Sequence, residues 1–184
     1  MNYQTIIDQY YPDDDELRRL LLHHSRQVAD RCLQIVHAHR ELPVDVQFLE
    51  EAAMLHDIGI RWCHAPSIFC LGNEPYIRHG LIGGNVLREL GFERHARVCE
   101  RHTGTGLNTV PLNKNGEPLL DANLVNSGFF LPETLEEQLV CYADKFYSKS
   151  RPDQVLSVVD AARSLEKFGH DGVQKFLTWS RMFE

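Results

Sequence analysis

The sequence predicts an all-α protein, a helical bundle of five core helices with extra helices at its C-terminal end. Apolar residues recur at intervals of three or four along several segments, which is the spacing of one helix face. No segment of any length alternates apolar and polar residues as half-buried strands do. The 184 residues are 43% hydrophobic and 24% charged, which fits one compact domain over 1–184.

A short helix and a long helix are predicted at the start of the chain. The short helix covers residues 2–10, and Pro12 interrupts the chain after it. The acidic residues 13–15 then cap the long helix, because negative charge is favourable at the positive end of a helix dipole. Apolar residues of this helix share one face with His24. Pro43 ends the helix.

The next helix carries the stretch around which the chain is organised. It begins near Asp45 and ends with His56 and Asp57, and Gly59 lies where a left-handed C-cap would fall. Burying a carboxylate without a partner is very costly, so this pair needs a compensating group at the buried helix end. A divalent metal ion would compensate both residues at once.

Further helices are predicted on either side of a long connection. The connection, 107–131, is rich in turn formers and is longer than those of compact domains usually are. Such a loop is expected to shape a substrate site, although its conformation does not follow from the sequence. The remaining predicted helices cover about 75–90, 93–101, a segment opened by Pro132, a segment ending near Gly169, and 171–183.

The acidic composition limits the classes of partner. The formal net charge is -7 and the pI is near 5.8, so we expect neither nucleic acid nor an anionic membrane surface as a partner. The five cysteines have no regular spacing, and the first residues show no signal-peptide pattern. These features predict a cytoplasmic protein with free thiols. The sequence does not decide between a monomer and a homodimer.

Two further polar residues can complete a metal site. His24 lies on the apolar face of the long helix, and Asp144 lies in the apolar stretch that follows Pro132. Together with His56 and Asp57 they offer two imidazoles and two carboxylates, which suit iron, manganese, cobalt, zinc or nickel better than magnesium. The alternative is that backbone groups satisfy these histidines, as is usual for single histidines in a core.

Three short motifs occur in the order known from one enzyme family. They are His24-Ser25-Arg26-Gln27-Val28-Ala29, Leu55-His56-Asp57-Ile58-Gly59 and Ala143-Asp144-Lys145. The set resembles the H…HD…D signature of the HD-domain metal-dependent phosphohydrolases, in particular their HDIG subset. The resemblance implies a single HD domain with its core over about 17–151 and C-terminal helices over about 152–183. It also implies that the two histidines and two aspartates bind one metal ion.

The resemblance further implies a second metal ion. His79 and His102 are similar in position to the extra histidines of HD-domain proteins that hold two metals, in which the aspartate of the HD pair bridges them. Two such ions would lower the pKa of a shared water and clamp phosphoryl oxygens. We therefore expect one or two divalent ions. The expected ligands are His24, His56, Asp57, His79, His102 and Asp144.

The activity that the resemblance implies is hydrolysis of a phosphate ester or anhydride in a small substrate, expected to be a nucleotide. Phosphomonoesterase, phosphodiesterase and nucleotide pyrophosphohydrolase are not distinguished, and the alternative is a non-catalytic HD-fold module that binds a metal or a nucleotide. The expected catalytic residues are Asp57, which would bridge the two ions, Lys145, which lies beside a ligand, and His64, which would donate a proton. The cations expected to bind the substrate, chosen because they lie near ligands in the sequence, are Arg26, Arg61, Arg78, Arg101, Lys149 and Arg151.

Overall fold

Three capped helices form the first part of the fold. The computed structural model describes residues 1–184, apart from the side chain of Phe168. The side chains of Asn2, Asp15 and Asp45 accept hydrogen bonds from first-turn amides, which satisfies groups that have no partner inside a helix. The three helices are α1 (Tyr3–Tyr10), α2 (Glu16–Ala38) and α3 (Val46–Leu55).

The later helices follow the predicted order. The helix predicted over 93–101 is confirmed, and the long connection contains one helix of five residues. These helices are α4 (His79–Glu89), α5 (Glu93–Arg101), α6 (Ala122–Asn126), α7 (Leu135–Asp144), α8 (Val158–Ser164) and α9 (His170–Phe183). Single 3-10 turns cover Ile58–Trp62, Pro66–Ile68, Tyr76–Arg78 and Glu166–Phe168. In the part of the chain that is described, no helix has the length and apolar character needed to cross a membrane.

The all-α prediction is wrong, because five short strands form two small sheets. One sheet has the order β2-β1-β3, with β1 antiparallel to β2 and parallel to β3, and the other is the antiparallel pair β4-β5. Segments of two to five residues are too short to show an alternation of apolar and polar residues. A single domain over 1–184 stays a prediction. The strands are β1 (Cys63–Ala65), β2 (Cys70–Leu71), β3 (Glu74–Pro75), β4 (Tyr147–Ser148) and β5 (Arg151–Val155).

Two glycine contacts hold the helices around the His-Asp pair close together. A Cβ atom on Gly59 would lie 2.1 Å from the carbonyl oxygen of His79 and 2.5 Å from the amide nitrogen of Gly83. A Cβ atom on Gly80 would lie 2.4 Å from the carbonyl oxygen of Cys99. The turn after Asp57, the start of α4 and the end of α5 therefore approach backbone to backbone, which brings the residues on them together.

The segment 107–131 folds over α4 with a small core of its own. Leu107, Leu120, Val125 and Phe130 are buried against one another. Ile77 and other partly buried apolar side chains cover this cluster from the side of α4. The main core lies apart from it and is formed where α2 packs against α3 and α7, and α4 packs along α5.

Candidate metal centre

Five helices bring all the predicted metal ligands to one buried point. The ligands come from the middle of α2, the end of α3, the start of α4, the end of α5 and the end of α7. The four histidines and Asp57 are almost completely buried, and the side chain of Asp144 is 11% exposed. The converging residues are His24, His56, Asp57, His79, His102 and Asp144.

One oxygen of Asp57 faces the residues of the H…HD…D motif. Its Oδ2 atom lies 3.3 Å from Nε2 of His24 and 3.1 Å from Nε2 of His56. Asp144 closes this group, because its Oδ1 atom lies 3.0 Å from the same atom of His24 and 3.7 Å from that of His56. We call this group the Oδ2 side. It offers two imidazole nitrogens and two carboxylates to one ion.

The other oxygen of Asp57 faces the two additional histidines. Its Oδ1 atom lies 3.4 Å from Nε2 of His79 and 3.5 Å from Nε2 of His102. The two Nε2 atoms are 2.9 Å apart. We call this group the Oδ1 side. The carboxylate of Asp57 thus lies between two separate sets of donors, as a bridging ligand would.

Three of the histidines are fixed in one tautomer by backbone carbonyls. Nδ1 of His56, His79 and His102 each lies 2.6 to 2.7 Å from the carbonyl oxygen three residues earlier. A carbonyl oxygen can only accept, so Nδ1 carries a proton in all three rings, and in His79 and His102, whose pKa values are lowered, Nε2 presents a lone pair. Metal-binding histidines are oriented by such bonds from their second nitrogen.

The contact between His79 and His102 fits a bound cation. Burial lowers the pKa of His79 to about 3, and burial also lowers the pKa of His102, so both rings are neutral near pH 7. Two neutral rings whose Nδ1 atoms are protonated have no proton to share between their Nε2 atoms, 2.9 Å apart. A metal ion bound by both lone pairs removes the conflict, and the residues present therefore fit a divalent ion.

The Oδ2 side is charged. Burial opposes ionisation of Asp57 and Asp144, but Lys149 beside Asp57 and Lys145 beside Asp144 outweigh it and hold both pKa values well below their ordinary range. Burial also opposes a charge on His56, yet the two carboxylates raise its pKa to about 9. Oδ2 of Asp57 has the Lys149 ammonium group 2.5 Å away, but Oδ1 accepts no hydrogen bond of good geometry from the described residues. Such buried atoms are rare unless an ion or another group completes them.

A cleft of about 580 Å³ leads from solvent to the centre. His79, His102 and Asp144 lie on its wall, together with the β4-β5 hairpin. Lys145, Lys149 and Arg151 also line it and make it locally positive in an acidic protein. A larger and mostly apolar cavity lies beside the end of α2, away from the centre. The chemistry is therefore assigned to the smaller cleft, where the polar donors converge.

The predicted lysines lie at the centre, each on a carboxylate. Lys145 Nζ donates to Asp144 Oδ2 at 2.6 Å and to the carbonyl oxygen of His102 at 3.1 Å. Lys149 Nζ lies 2.5 Å from Asp57 Oδ2. Arg151 is exposed at the cleft. The structure brings these three cations together with the ligands.

His64 does not reach the centre. It is exposed on β1, its Nδ1 atom lies 3.2 Å from the carbonyl oxygen of Gly72, and it is absent from the cleft wall. The structure gives it no position from which to donate a proton to a leaving group there.

Two of the predicted arginines contact residues away from the cleft. Arg26 pairs with Glu50 at 2.9 Å on the surface of α2. The guanidinium of Arg61 lies 5.4 Å from the centre of the Tyr11 ring. Neither side chain lines the cleft, so neither is placed to bind a substrate in it.

The other two predicted arginines are also held by carboxylates elsewhere. Arg78 pairs with Glu74 at 2.6 Å, one helical turn before it. Arg101 is buried and pairs with Glu133 at 2.9 Å and Glu137 at 3.2 Å. Both precede a ligand in the sequence but point away from it.

Tyr76 is a cleft residue that the sequence interpretation missed. Its ring stacks on that of His79 with centroids 4.6 Å apart, and its carbonyl oxygen accepts the hydrogen bond that orients the histidine. The signal in the sequence was its position three residues before a predicted ligand, one turn away on a helical stretch. Tyr76 covers the Oδ1 side from solvent.

Comparisons with known proteins give relatives but no family. No family model matches the chain, and no solved structure matches it. An uncharacterised protein of Methanocaldococcus jannaschii is 28% identical over 163 residues, covering 83% of this chain and 85% of that protein.

Two relatives have a named activity. The tRNA (cytidine(56)-2'-O)-methyltransferase of Picrophilus torridus is 26% identical over 170 residues, covering 87% of this chain and 43% of that protein. The enzyme of the same name from Thermoplasma volcanium is 26% identical over 144 residues, covering 78% of this chain and 36% of that protein. The chain therefore spans less than half the length of either methyltransferase.

These names overturn the functional predictions made from the sequence. Because the relatives are called methyltransferases, the assignment to the HD-domain phosphohydrolases, the hydrolysis of a phosphate ester or anhydride, and the alternative non-catalytic HD-fold module are corrected. Because the names specify tRNA, the expectation of a small nucleotide substrate and no nucleic acid is corrected as well. The identity of the ligands indicates which ions a site can bind, but it does not indicate which reaction the site catalyses. The six metal ligands stay predictions.

Proposed function

We propose that this chain binds divalent metal ions on both sides of Asp57 and takes part in the 2'-O-methylation of tRNA. The observation that carries the metal binding is the pair of facing Nε2 lone pairs of His79 and His102, 2.9 Å apart. The names of the two methyltransferases support the role in tRNA methylation. The cytoplasm, expected from the cysteine pattern, is the compartment of this proposal.

The chemistry of the reaction suits such a centre. In 2'-O-methylation the ribose 2' oxygen bonds to the methyl group of S-adenosylmethionine as the bond from that methyl group to sulfur breaks, and the hydroxyl proton passes to a base such as water. A divalent ion bound here would supply a Lewis acid that lowers the pKa of a coordinated oxygen. The side chains of this chain would bind the ion and the RNA. Asp57 and the histidines would be the ligands of the ion.

The cleft offers cations for the RNA backbone. Phosphate contacts supply most of the affinity in nucleic acid binding, and they require lysine or arginine. Lys145, Lys149 and Arg151 lie together at the cleft although the whole chain has a net charge of -7. Arg151 is the exposed cation of the three, since Lys145 and Lys149 are each paired with a carboxylate of the proposed centre.

The fraction of each relative's length that this chain covers favours an activity that is divided between this chain and another region or protein. The chain spans 43% and 36% of the two methyltransferases but 85% of the protein from M. jannaschii. This favours a metal-binding unit that occurs alone or joined to other parts. In the proposed arrangement this chain supplies the metal centre and RNA contacts, and a further region or partner supplies the rest. Methyl transfer by this chain alone is the second arrangement.

The test combines metal content, RNA binding and methyl transfer. The purified full chain is loaded with Mn²⁺, and its metal content and its affinity for a tRNA transcript are measured. Methyl transfer is followed with S-adenosylmethionine that carries a radiolabelled methyl group. Asp57→Asn should lose both metal and RNA binding, while Asp153→Asn, the same change at an exposed position, should lose neither.

The outcomes separate the two arrangements. Metal-dependent RNA binding without methyl transfer supports the divided activity, and transfer by the chain alone supports the second arrangement. A chain that binds metal but neither binds nor methylates tRNA contradicts the role in methylation. A chain that binds no metal contradicts the metal centre.

A further inference from the structure

A lysine from the β4-β5 hairpin enters the proposed metal centre. Lys149 lies in the turn between Ser148 and Arg151, and its side chain is only 13% exposed. Its Nζ atom lies 2.5 Å from Oδ2 of Asp57. The same oxygen faces His24 at 3.3 Å, so the ammonium group and a metal-binding imidazole share one acceptor.

An ammonium group in this position competes with a metal ion. A divalent transition metal binds a carboxylate oxygen at about 2.0 to 2.2 Å. With an ammonium group 2.5 Å from that same oxygen, the two positive charges would be close neighbours inside a buried site. Repulsion between charges is large where water is excluded. Both cations cannot occupy Oδ2 of Asp57 favourably at the same time.

The side chain of Lys149 can move into the cleft, whereas that of the nearby Lys145 is fixed by its hydrogen bonds. The hairpin that carries Lys149 lines the cleft, and a lysine can swing its four-carbon stem without a change in the backbone. Lys145 is held by two acceptors, Asp144 Oδ2 and the carbonyl oxygen of His102. The charged groups that face Lys149 are Asp57 and Asp144, together with the hydroxyl of Tyr76.

We propose that Lys149 and the metal ion compete for Oδ2 of Asp57, and that metal binding moves the Lys149 ammonium group into the cleft beside Arg151, where it binds an RNA phosphate. The inference rests on the metal binding and the RNA binding of the proposed function, but not on methyl transfer. It makes binding of the metal and binding of the anion favour each other, because each ligand stabilises the same position of Lys149.

The first test compares affinities for Mn²⁺, measured from the free-ion signal in electron paramagnetic resonance. Lys149→Met removes the competing charge and keeps a long unbranched side chain, and it should bind Mn²⁺ about tenfold tighter than the wild type, a modest fraction of a buried charge interaction. Lys149→Arg keeps the charge and should show no such gain. Lys114→Met, the same substitution at an exposed position, should leave the affinity unchanged.

Three results would overturn the competition. They are an unchanged or weaker affinity in Lys149→Met, an equal gain in Lys114→Met, and a complete lack of Mn²⁺ binding in both wild type and Lys149→Met. The last result would contradict the metal centre of the proposed function as well. Binding in wild type without a gain in Lys149→Met would contradict the competition alone.

The second test uses the wild-type chain and needs no variant to fold. Lysines are acetylated briefly with and without Mn²⁺, and the modified positions are quantified by mass spectrometry. Acetylation of Lys149 should rise several-fold with Mn²⁺ relative to the exposed Lys114, because the ammonium group leaves its buried ion pair. Equal or lower acetylation with bound Mn²⁺ would refute the movement.

Discussion

The two sides of Asp57 are built in different ways. On the Oδ2 side, His24 and Asp144 come from helices far apart in sequence, and lysines contact both carboxylates. On the Oδ1 side, His79 and His102 are neutral, and each is oriented by the carbonyl oxygen three residues earlier. The first side depends on charge, and the second depends on orientation. Changes to one side should therefore affect metal binding in a different manner from changes to the other.

Asp57→Asn should have the largest effect, because it removes the charge shared by both sides. Metal stoichiometry should fall from two towards zero, and the affinity should fall at least about 100-fold, as for the loss of a charged group buried with its partners. Inductively coupled plasma mass spectrometry of the purified protein measures the metal content. Retention of one full equivalent would show that Asp57 does not bridge.

His79→Ala or His102→Ala should remove only the ion of the Oδ1 side. Stoichiometry should fall from two towards one with the fold preserved, because the Oδ2 side retains its four donors. The same metal analysis, with circular dichroism as the folding control, measures this change. If both variants keep two equivalents, the additional histidines are not ligands.

Gly59→Ala should weaken the connection between the two sides. The added Cβ would lie 2.1 Å from the carbonyl oxygen of His79, so α4 must move and the free energy of unfolding should fall by about 2 to 4 kcal/mol. Urea unfolding measures the loss. Gly91→Ala is the matched control, since Gly91 has a positive φ of 82° but open space around it and should cost only about 1 kcal/mol. Equal losses would contradict the steric argument.

Tyr11→Phe should have the smallest effect, on the turn that follows Asp57. The Tyr11 hydroxyl donates to the carbonyl oxygen of Ile58 at 2.8 Å and accepts from the amide of Arg61 at 3.2 Å. Its loss should lower the free energy of unfolding by about 1 kcal/mol without changing metal stoichiometry. Urea unfolding and metal analysis check both parts. A lost metal equivalent would mean that this turn positions the ligands more strictly than the hydrogen bonds indicate.

The residues of the centre could be predicted because their polarity conflicts with their position. His24, His56, Asp57 and Asp144 stand out as polar groups on apolar helix faces, and the structure brings them together. Nearness in sequence was a poor guide to the cleft cations. Arg101 directly precedes His102, but consecutive residues on a helix point in different directions. The side chain of Arg101 therefore pairs with Glu137.

The sequence predicted Lys149 as a substrate-binding cation but not its ion pair with Asp57, because that contact depends on a hairpin. Strands of two and five residues leave no periodic signal, and the turn between them decides where the lysine points. The reaction was mispredicted for a different reason. The H…HD…D residues determine which ions can bind, whereas the bound substrate depends on loops and partners that short motifs do not encode.

The carbonyl bonds to His56, His79 and His102 mean that the backbone orients three of the proposed ligands. Each bond is made within one helical turn, so it forms together with the helix that carries it. Little side-chain entropy should then remain to be lost on binding of a proposed ion, and folding should not require the metal as it does in zinc fingers. If the proposed ions bind, their exchange should accordingly be fast and reversible, with the backbone serving as a rigid template.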